Sequence, residues 1–87
     1  MERDTSLDER SRAILDFERS WWQQPEPKER RIEKCFGLSS ARYHQLLNRL
    51  IERPEALWYD PMLVRRLRRL REARRRKRSV RRAGVEI

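Results

Sequence analysis

Between residues 65 and 82 the chain places eleven arginines and one lysine against a single acid, Glu72. Cations at this density suit phosphate. The choice of arginine over lysine sharpens the reading, because the planar guanidinium is a fork matched to phosphate oxygens and to guanine edges. A second set of side chains, Ser40, Ala41, Arg42, His44, Gln45, Asn48 and Arg49, is spaced to share the outward side of one helix. Gln45 and Asn48 can each make paired hydrogen bonds to an adenine edge, and Ala41 suits a thymine methyl. Arg42 lies at the flank, within reach of a phosphate, while His44 reads equally as a phosphate or base contact and as a solvated side chain. The residues expected to touch nucleic acid are these seven together with Arg65, Arg66, Arg68, Arg69, Arg71, Arg74, Arg75, Arg76, Lys77, Arg78, Arg81 and Arg82.

The charge is distributed very unevenly. Residues 1–64 hold eleven basic and twelve acidic side chains, whereas residues 65–87 hold twelve basic and two acidic, so the C-terminal quarter carries the whole formal charge of +9. Clustered cations repel one another and oppose compaction, and a polyanionic partner relieves that cost. Other chemistries find little material. Cys35 and His44 are the only residues of their types, which leaves no internal disulfide and no metal-ligand set. No Ser/His/Asp set, phosphate-cradling glycine loop or paired carboxylates point to catalysis, so the expectation is a protein that is not an enzyme and uses no cofactor or small-molecule substrate. No apolar run approaches the roughly 20 residues that span a bilayer, and the acidic N-terminus is unlike a signal peptide. A cytoplasmic, nucleoid location without membrane contact is expected.

These side chains need helices to position them. The expected fold is all-α, a small domain of three to five helices with a helix-turn-helix and a long Arg-rich C-terminal helix. Residues 1–6 are expected to be a disordered N-terminus, 7–70 a helical DNA-binding domain, and 71–87 a basic tail. Ser6 and Glu9 have the form of a capping box, and Ile14, Leu15, Phe17, Trp21 and Trp22 then give a helix over roughly residues 7–23. Pro25 and Pro27 end it, with Pro27 as a first-turn proline of a second helix through Ile32 and Phe36 to Gly37. Ser39 caps a third helix through Tyr43, Leu46, Leu47, Leu50 and Ile51, which Arg53-Pro54 stops. Residues 54–59 read as a single helical turn. Asp60-Pro61 then opens a last helix with Leu63, Val64, Leu67 and Leu70 on one face; beyond Leu70 the stripe ends, so the helix projects from the domain or stays disordered until it meets a partner.

A DNA-reading helix-turn-helix needs a first helix that ends in a left-handed residue, a hydrophobic plug in the turn, and a capped second helix. Ile32, Phe36, Gly37, Leu38, Ser39, Tyr43 and Leu46 supply these in order. Glu33 argues the other way, because a small residue is common four before the turn glycine and a long side chain there widens the crossing. A helical hairpin that reads nothing therefore stays open.

The run from Ile14 through Trp21-Trp22, then Phe36-Gly37-Leu38-Ser39 with Arg42-Tyr43, then Leu50 to Leu57, and Asp60-Pro61 to Leu70 resembles a family of small basic actinobacterial proteins catalogued as a domain of unknown function. The likeness covers about residues 12–82. It implies an actinobacterial, cytosolic protein and brings no activity or functional residues.

Adjacent helical residues such as Trp21 and Trp22 point about 100° apart, so one is expected to pack on Phe36 and Tyr43 and the other to be exposed. With Trp58 and Tyr59 they form a group of four of which at least two belong in a core; an exposed one would serve as a protein anchor or base-stacking platform. Cys35 is expected to be a small buried hydrophobe. Asp4, Asp8, Glu9, Asp16 and Glu18 read as a solvated acidic face, or as a cover for the basic tail, or as a surface for RNA polymerase. The reading that follows is a protein that binds double-stranded DNA, either nucleoid-associated or a small transcriptional regulator, with a homodimer and RNA polymerase as further partners. RNA or ribosome binding and a polymerase- or sigma-interacting factor are the alternatives.

Overall fold

In the computed structural model, which describes residues 7–84 and the side chains through Ser79, the chain is all-helical. Five helices follow in order: α1 (Glu9–Ser20), α2 (Lys28–Phe36), α3 (Ser40–Leu50), α4 (Pro54–Tyr59) and α5 (Pro61–Gly84), with a 3-10 turn at Trp21–Gln23 between the first two. The expectation for residues 1–6, and the capping role of Ser6, lie outside the described residues. Asp8 caps α1, its carboxylate accepting the Ser11 amide at 2.9 Å. Hydrogen bonds from Ser11 hold the Asp8 carboxyl below its ordinary pKa. The first helix is also shorter than its apolar spacing predicts. Ser20 departs from helical geometry (φ −137°), and the chain tightens into the 3-10 turn ahead of Pro25 and Pro27. Pro27, with ψ 146°, is the N-cap of α2 and not its first helical residue.

The core is made by one stripe from each helix. Ile14, Leu15 and Phe17 of α1, Ile32 of α2, Tyr43, Leu47 and Leu50 of α3, Ala56 of α4, and Leu63 and Val64 of α5 are buried together with Leu7 and Ile51. Burying side chains of this size contributes about 1.5–3 kcal/mol each. Three rings lock the centre. Phe17 packs edge-on against both Phe36 and Tyr43 at centroid distances of 5.5 and 5.7 Å, and Phe36 meets Tyr43 at 5.5 Å. The aromatic partner of Phe36 and Tyr43 is therefore Phe17, where a tryptophan was expected. Trp21 is half-buried on the core's edge, whereas Trp22, Trp58 and Tyr59 are exposed, so one of these four aromatics packs on the core where at least two were expected.

Glu18 corrects the picture of a solvated acidic face, because it is buried. The Tyr43 hydroxyl donates to its Oε2 at 2.6 Å, and Lys28 Nζ lies 3.0 Å from the same oxygen. Burial, and then the Glu18 charge, push the Tyr43 pKa far above 10.0, so the phenol remains a donor. Lys28 also sits over the rings of Trp21 and Tyr43, at 5.1 and 5.9 Å. Glu18 thus pins α1 to α2 and α3. Asp16 accepts from the Tyr59 hydroxyl at 3.0 Å, and Asp8 is the cap, so Asp8, Asp16 and Glu18 hold the body together. Glu9 is exposed, Asp4 lies outside the described residues, and none of the described four pairs with the basic tail among the described residues. Cys35 is exposed. Ile32 and Phe36 define the inward stripe of α2, and at about 100° per residue Cys35 falls about 80° from its centre.

α5 is a single helix across the expected boundary at residue 71. At 24 residues it is about 36 Å long. It draws the molecule out to 57 × 31 × 21 Å, with a radius of gyration of 15.3 Å where a compact chain of this length would give about 12 Å. Asp60 caps it, the carboxylate 3.5 Å from the Leu63 amide and 3.3 Å from Arg19 Nε.

Candidate nucleic-acid interface

α2 ends where Gly37 takes a left-handed conformation, φ 65° and ψ 28°, and donates its amide to the Glu33 carbonyl at 2.8 Å. A Cβ at Gly37 would touch nothing, so glycine is required here by backbone conformation alone. Leu38 follows, packed on the core, and the Ser39 hydroxyl accepts the Arg42 amide at 3.1 Å to start α3. Glu33 is exposed, so its long side chain does not fill the space between α2 and α3.

The outward face of α3 centres on Gln45. Ala41 and Asn48 lie to one side of it and Arg42 and Arg49 to the other, about 40–60° away, and all five are exposed. Arg42 donates to Gln45 Oε1 at 3.2 Å, which orients the amide and leaves that oxygen a second lone pair. Two expected contacts sit elsewhere. Ser40 and His44 are half-buried on the edge of α3 that turns toward α2. His44 Nδ1 donates to the Ser40 carbonyl at 2.8 Å, and Nε2 lies 3.5 Å from Lys28 Nζ. These two contacts make His44 a structural link between α2 and α3.

The cations of α5 divide by helical phase. Leu63, Val64, Leu67, Arg68 and Arg71 form the inward side, and Met62, Arg65, Arg66, Arg69, Ala73 and Arg76 the outward one. Arg68 donates through Nε to the Ile51 carbonyl. Arg71 donates to the Asn48 carbonyl at 3.2 Å and to the Glu52 carboxylate. Both arginines therefore hold the C-terminal end of α3, where carbonyls lack helical partners and a cation is favoured, and they are removed from the set expected to face phosphate. Their phase was a usable signal: Arg68 stands four after Val64, and Arg71 four after Leu67.

From Arg74 onward the inward phase has passed the end of the domain. Arg74, Arg75 and Arg78 occupy it, Arg76 and Lys77 continue the other side, and all five are exposed. With Arg65, Arg66 and Arg69 this makes eight exposed cations on the helix, with Glu72 as the intervening acid. Arg81 and Arg82 belong to the helical span, and their side chains lie outside the described residues. Sequence spacing also missed Arg10 and Arg53. Arg53 stands four residues after Arg49, just past the end of α3, and Arg10 reaches the flank of α3 only through the fold.

Among the described residues no helix is long and apolar enough to cross a membrane, and no group of three or more His, Cys, Asp or Glu could hold a metal ion. No curated protein and no solved structure matches the chain. Residues 6–79 match a family described as a protein of unknown function, DUF3263, and the likeness read from the paired tryptophans, the glycine turn and the proline-led basic helix is consistent with that match. Since the matched span takes in nearly all of the helical body and most of α5, the chain belongs to the DUF3263 family.

Proposed function

We propose that this chain is an actinobacterial DNA-binding protein, nucleoid-associated or a small transcriptional regulator, in which α2, the Gly37–Ser39 turn and α3 act as a helix-turn-helix and α5 tracks the phosphate backbone. The observation that carries the reading is the division of α5. Two arginines face inward and anchor it to α3, and eight cations are left exposed on a rigid rod. That arrangement supplies sequence-blind affinity through phosphate contacts, and arginines entering a narrow minor groove would favour A·T-rich sequence. Ala41, Gln45 and Asn48 are the groups available for base edges. The site is the nucleoid, and the exposed Trp22 and Trp58 are the surface on which a homodimer would form. The test is a titration of labelled duplex across a salt series. Affinity that falls steeply with salt supports the reading, and no affinity at 50 mM salt, a condition in which phosphate contacts are strong, overturns it.

One observation favours RNA as a second reading: beyond Arg71 the cations surround the helix, a form suited to insertion in structured RNA. Competition between a duplex DNA and a folded RNA at one salt concentration separates the two. A polymerase-facing role for α1 has less support, because Asp8, Asp16 and Glu18 are all engaged within the body.

A further inference from the structure

α3 borders a cleft on the side that turns toward α1. Ile14, Leu46 and Leu50 form its apolar lining, and Arg10 of α1, Arg49 of α3 and Arg53 of the turn after α3 stand around it with Asp8. Three cations meet one carboxylate, and that carboxylate already accepts the Ser11 amide as the cap of α1. Arg10 and Arg49 make no side-chain hydrogen bond or ion pair among the described residues, and Arg53 meets Glu55 through Nε at 3.5 Å, a half-exposed pair that stabilises little. Among the described residues the cluster has no structural task of the kind that Arg68 and Arg71 perform.

Its position suggests one. A helix with its side chains is about 10–12 Å across and the major groove about 12 Å wide, so a helix lying in the groove has phosphates along both flanks. α5 meets α3 on the side of Asn48 and Ile51. Leu46 and Arg49 lie on roughly the opposite side by helical phase. We propose that the Arg10, Arg49 and Arg53 cleft is a second phosphate site for duplex DNA, across α3 from α5, and that these are positioning residues which set how α3 seats in the groove. This rests on the DNA-binding reading. Contacts of this kind fix orientation without reading sequence, and they give the small domain a grip on both strands where α5 alone would supply one.

The test uses the full chain and a labelled duplex. Arg10→Gln with Arg53→Gln removes two contacts and should flatten the slope of log affinity against log salt by about 1.8, at about 0.9 per phosphate. Arg30→Gln with Lys34→Gln, on exposed positions of α2, removes the same charge and should flatten it by less than about 0.5, a general charge effect without displaced counterions. Arg10→Lys with Arg53→Lys should keep the slope. Both arginines are exposed, and thermal melts confirm folding; should the double glutamine variant unfold, Arg10→Gln alone carries the test with half the change. An unchanged slope, or equal flattening in the α2 control, overturns the second phosphate site while DNA binding stands. A wild-type chain without affinity for duplex overturns both, and the same flattening seen with folded RNA but not with duplex assigns the cleft to RNA and overturns it for DNA.

Discussion

Ending the chain after Ala73 should remove most of its affinity for DNA and almost none of its stability. The cut takes away Arg74, Arg75, Arg76, Lys77, Arg78, Arg81 and Arg82. Every described side chain from Arg74 to Ser79 is exposed, and none makes a hydrogen bond or ion pair among the described residues. The choice of end point matters. A cut after Leu70 would also remove Arg71, and with it the donor to the Asn48 carbonyl and the partner of Glu52, so loss of binding and damage to α3 would be confounded. If six of the seven cations meet phosphates, the intact chain should show a salt slope steeper by about 5 than the truncated one. Between 50 and 200 mM salt that difference is worth roughly a thousandfold in affinity. Surface changes of this kind move stability by about 0.5 kcal/mol or less, which is about 3 °C in melting temperature for a domain of this size. Fluorescence anisotropy over a salt series gives the slope, and thermal circular dichroism gives the stability. An intact slope in the folded, truncated chain would refute the assignment of α5 as the backbone contact.

Gln45→Ala with Asn48→Ala should erase discrimination between a preferred and a scrambled duplex, at about 1–3 kcal/mol per lost paired contact, and leave the salt slope alone because neither residue is charged; a folded double variant that keeps its preference removes α3 as the reading helix. Gly37→Ala should destabilise by about 1–2 kcal/mol, the cost of a left-handed alanine, since no neighbour stands within 4 Å to add a clash; chemical denaturation measures it, and an unchanged midpoint would mean the turn relaxes. Tyr43→Phe should cost about 1–3 kcal/mol near neutral pH by leaving Glu18 short of a buried donor. Burial holds the Tyr43 pKa above its ordinary 10.0, so the folded protein keeps a proton that the unfolded chain releases, and wild-type stability should fall as pH rises past about 10. The phenylalanine variant should lose less over that range, and urea titrations at pH 7 and pH 10.5 compare the two.

The helices, the Gly37 turn and the Ser39 and Asp60 caps were legible because each follows from local backbone chemistry: a left-handed residue, a hydroxyl or carboxylate at an N-terminus, an apolar period. The start of α1 shows the limit of that reading, since the Asp8 cap is one of several acceptors near the first apolar turn and spacing alone does not single it out. Glu18 was illegible for a different reason. Its burial depends on Lys28 and Tyr43 arriving together from two other helices, and a lone carboxylate in an acidic helix carries no mark of such partners. Arg68 and Arg71 look the same as the arginines beside them in a run of one residue type, and only their phase relative to Val64 and Leu67 separates an anchor from a phosphate contact. Arg10 carries no such relation, since only the packing of α1 on α3 brings it to Arg49 and Arg53.

The two halves of the interface have unequal weight, and that bears on the biology. Gln45 and Asn48 are the two exposed amides on α3 able to pair with a base, and two paired contacts supply about 2–6 kcal/mol of discrimination, roughly 30- to 10⁴-fold. A chromosome offers on the order of 10⁶ or more competing sites, and on the proposed reading the α5 cations would bind all of them. On that reading one copy of this chain could not hold a single address against that background, and it would spread along DNA with a bias toward favoured sequence. A symmetric pair on two half-sites would double the discrimination to about 4–12 kcal/mol, which reaches the range of a regulator. The choice between nucleoid packaging and regulation thus reduces to whether the chain pairs through a surface such as that around Trp22 or Trp58, since α3 alone has too few base-reading groups to decide it.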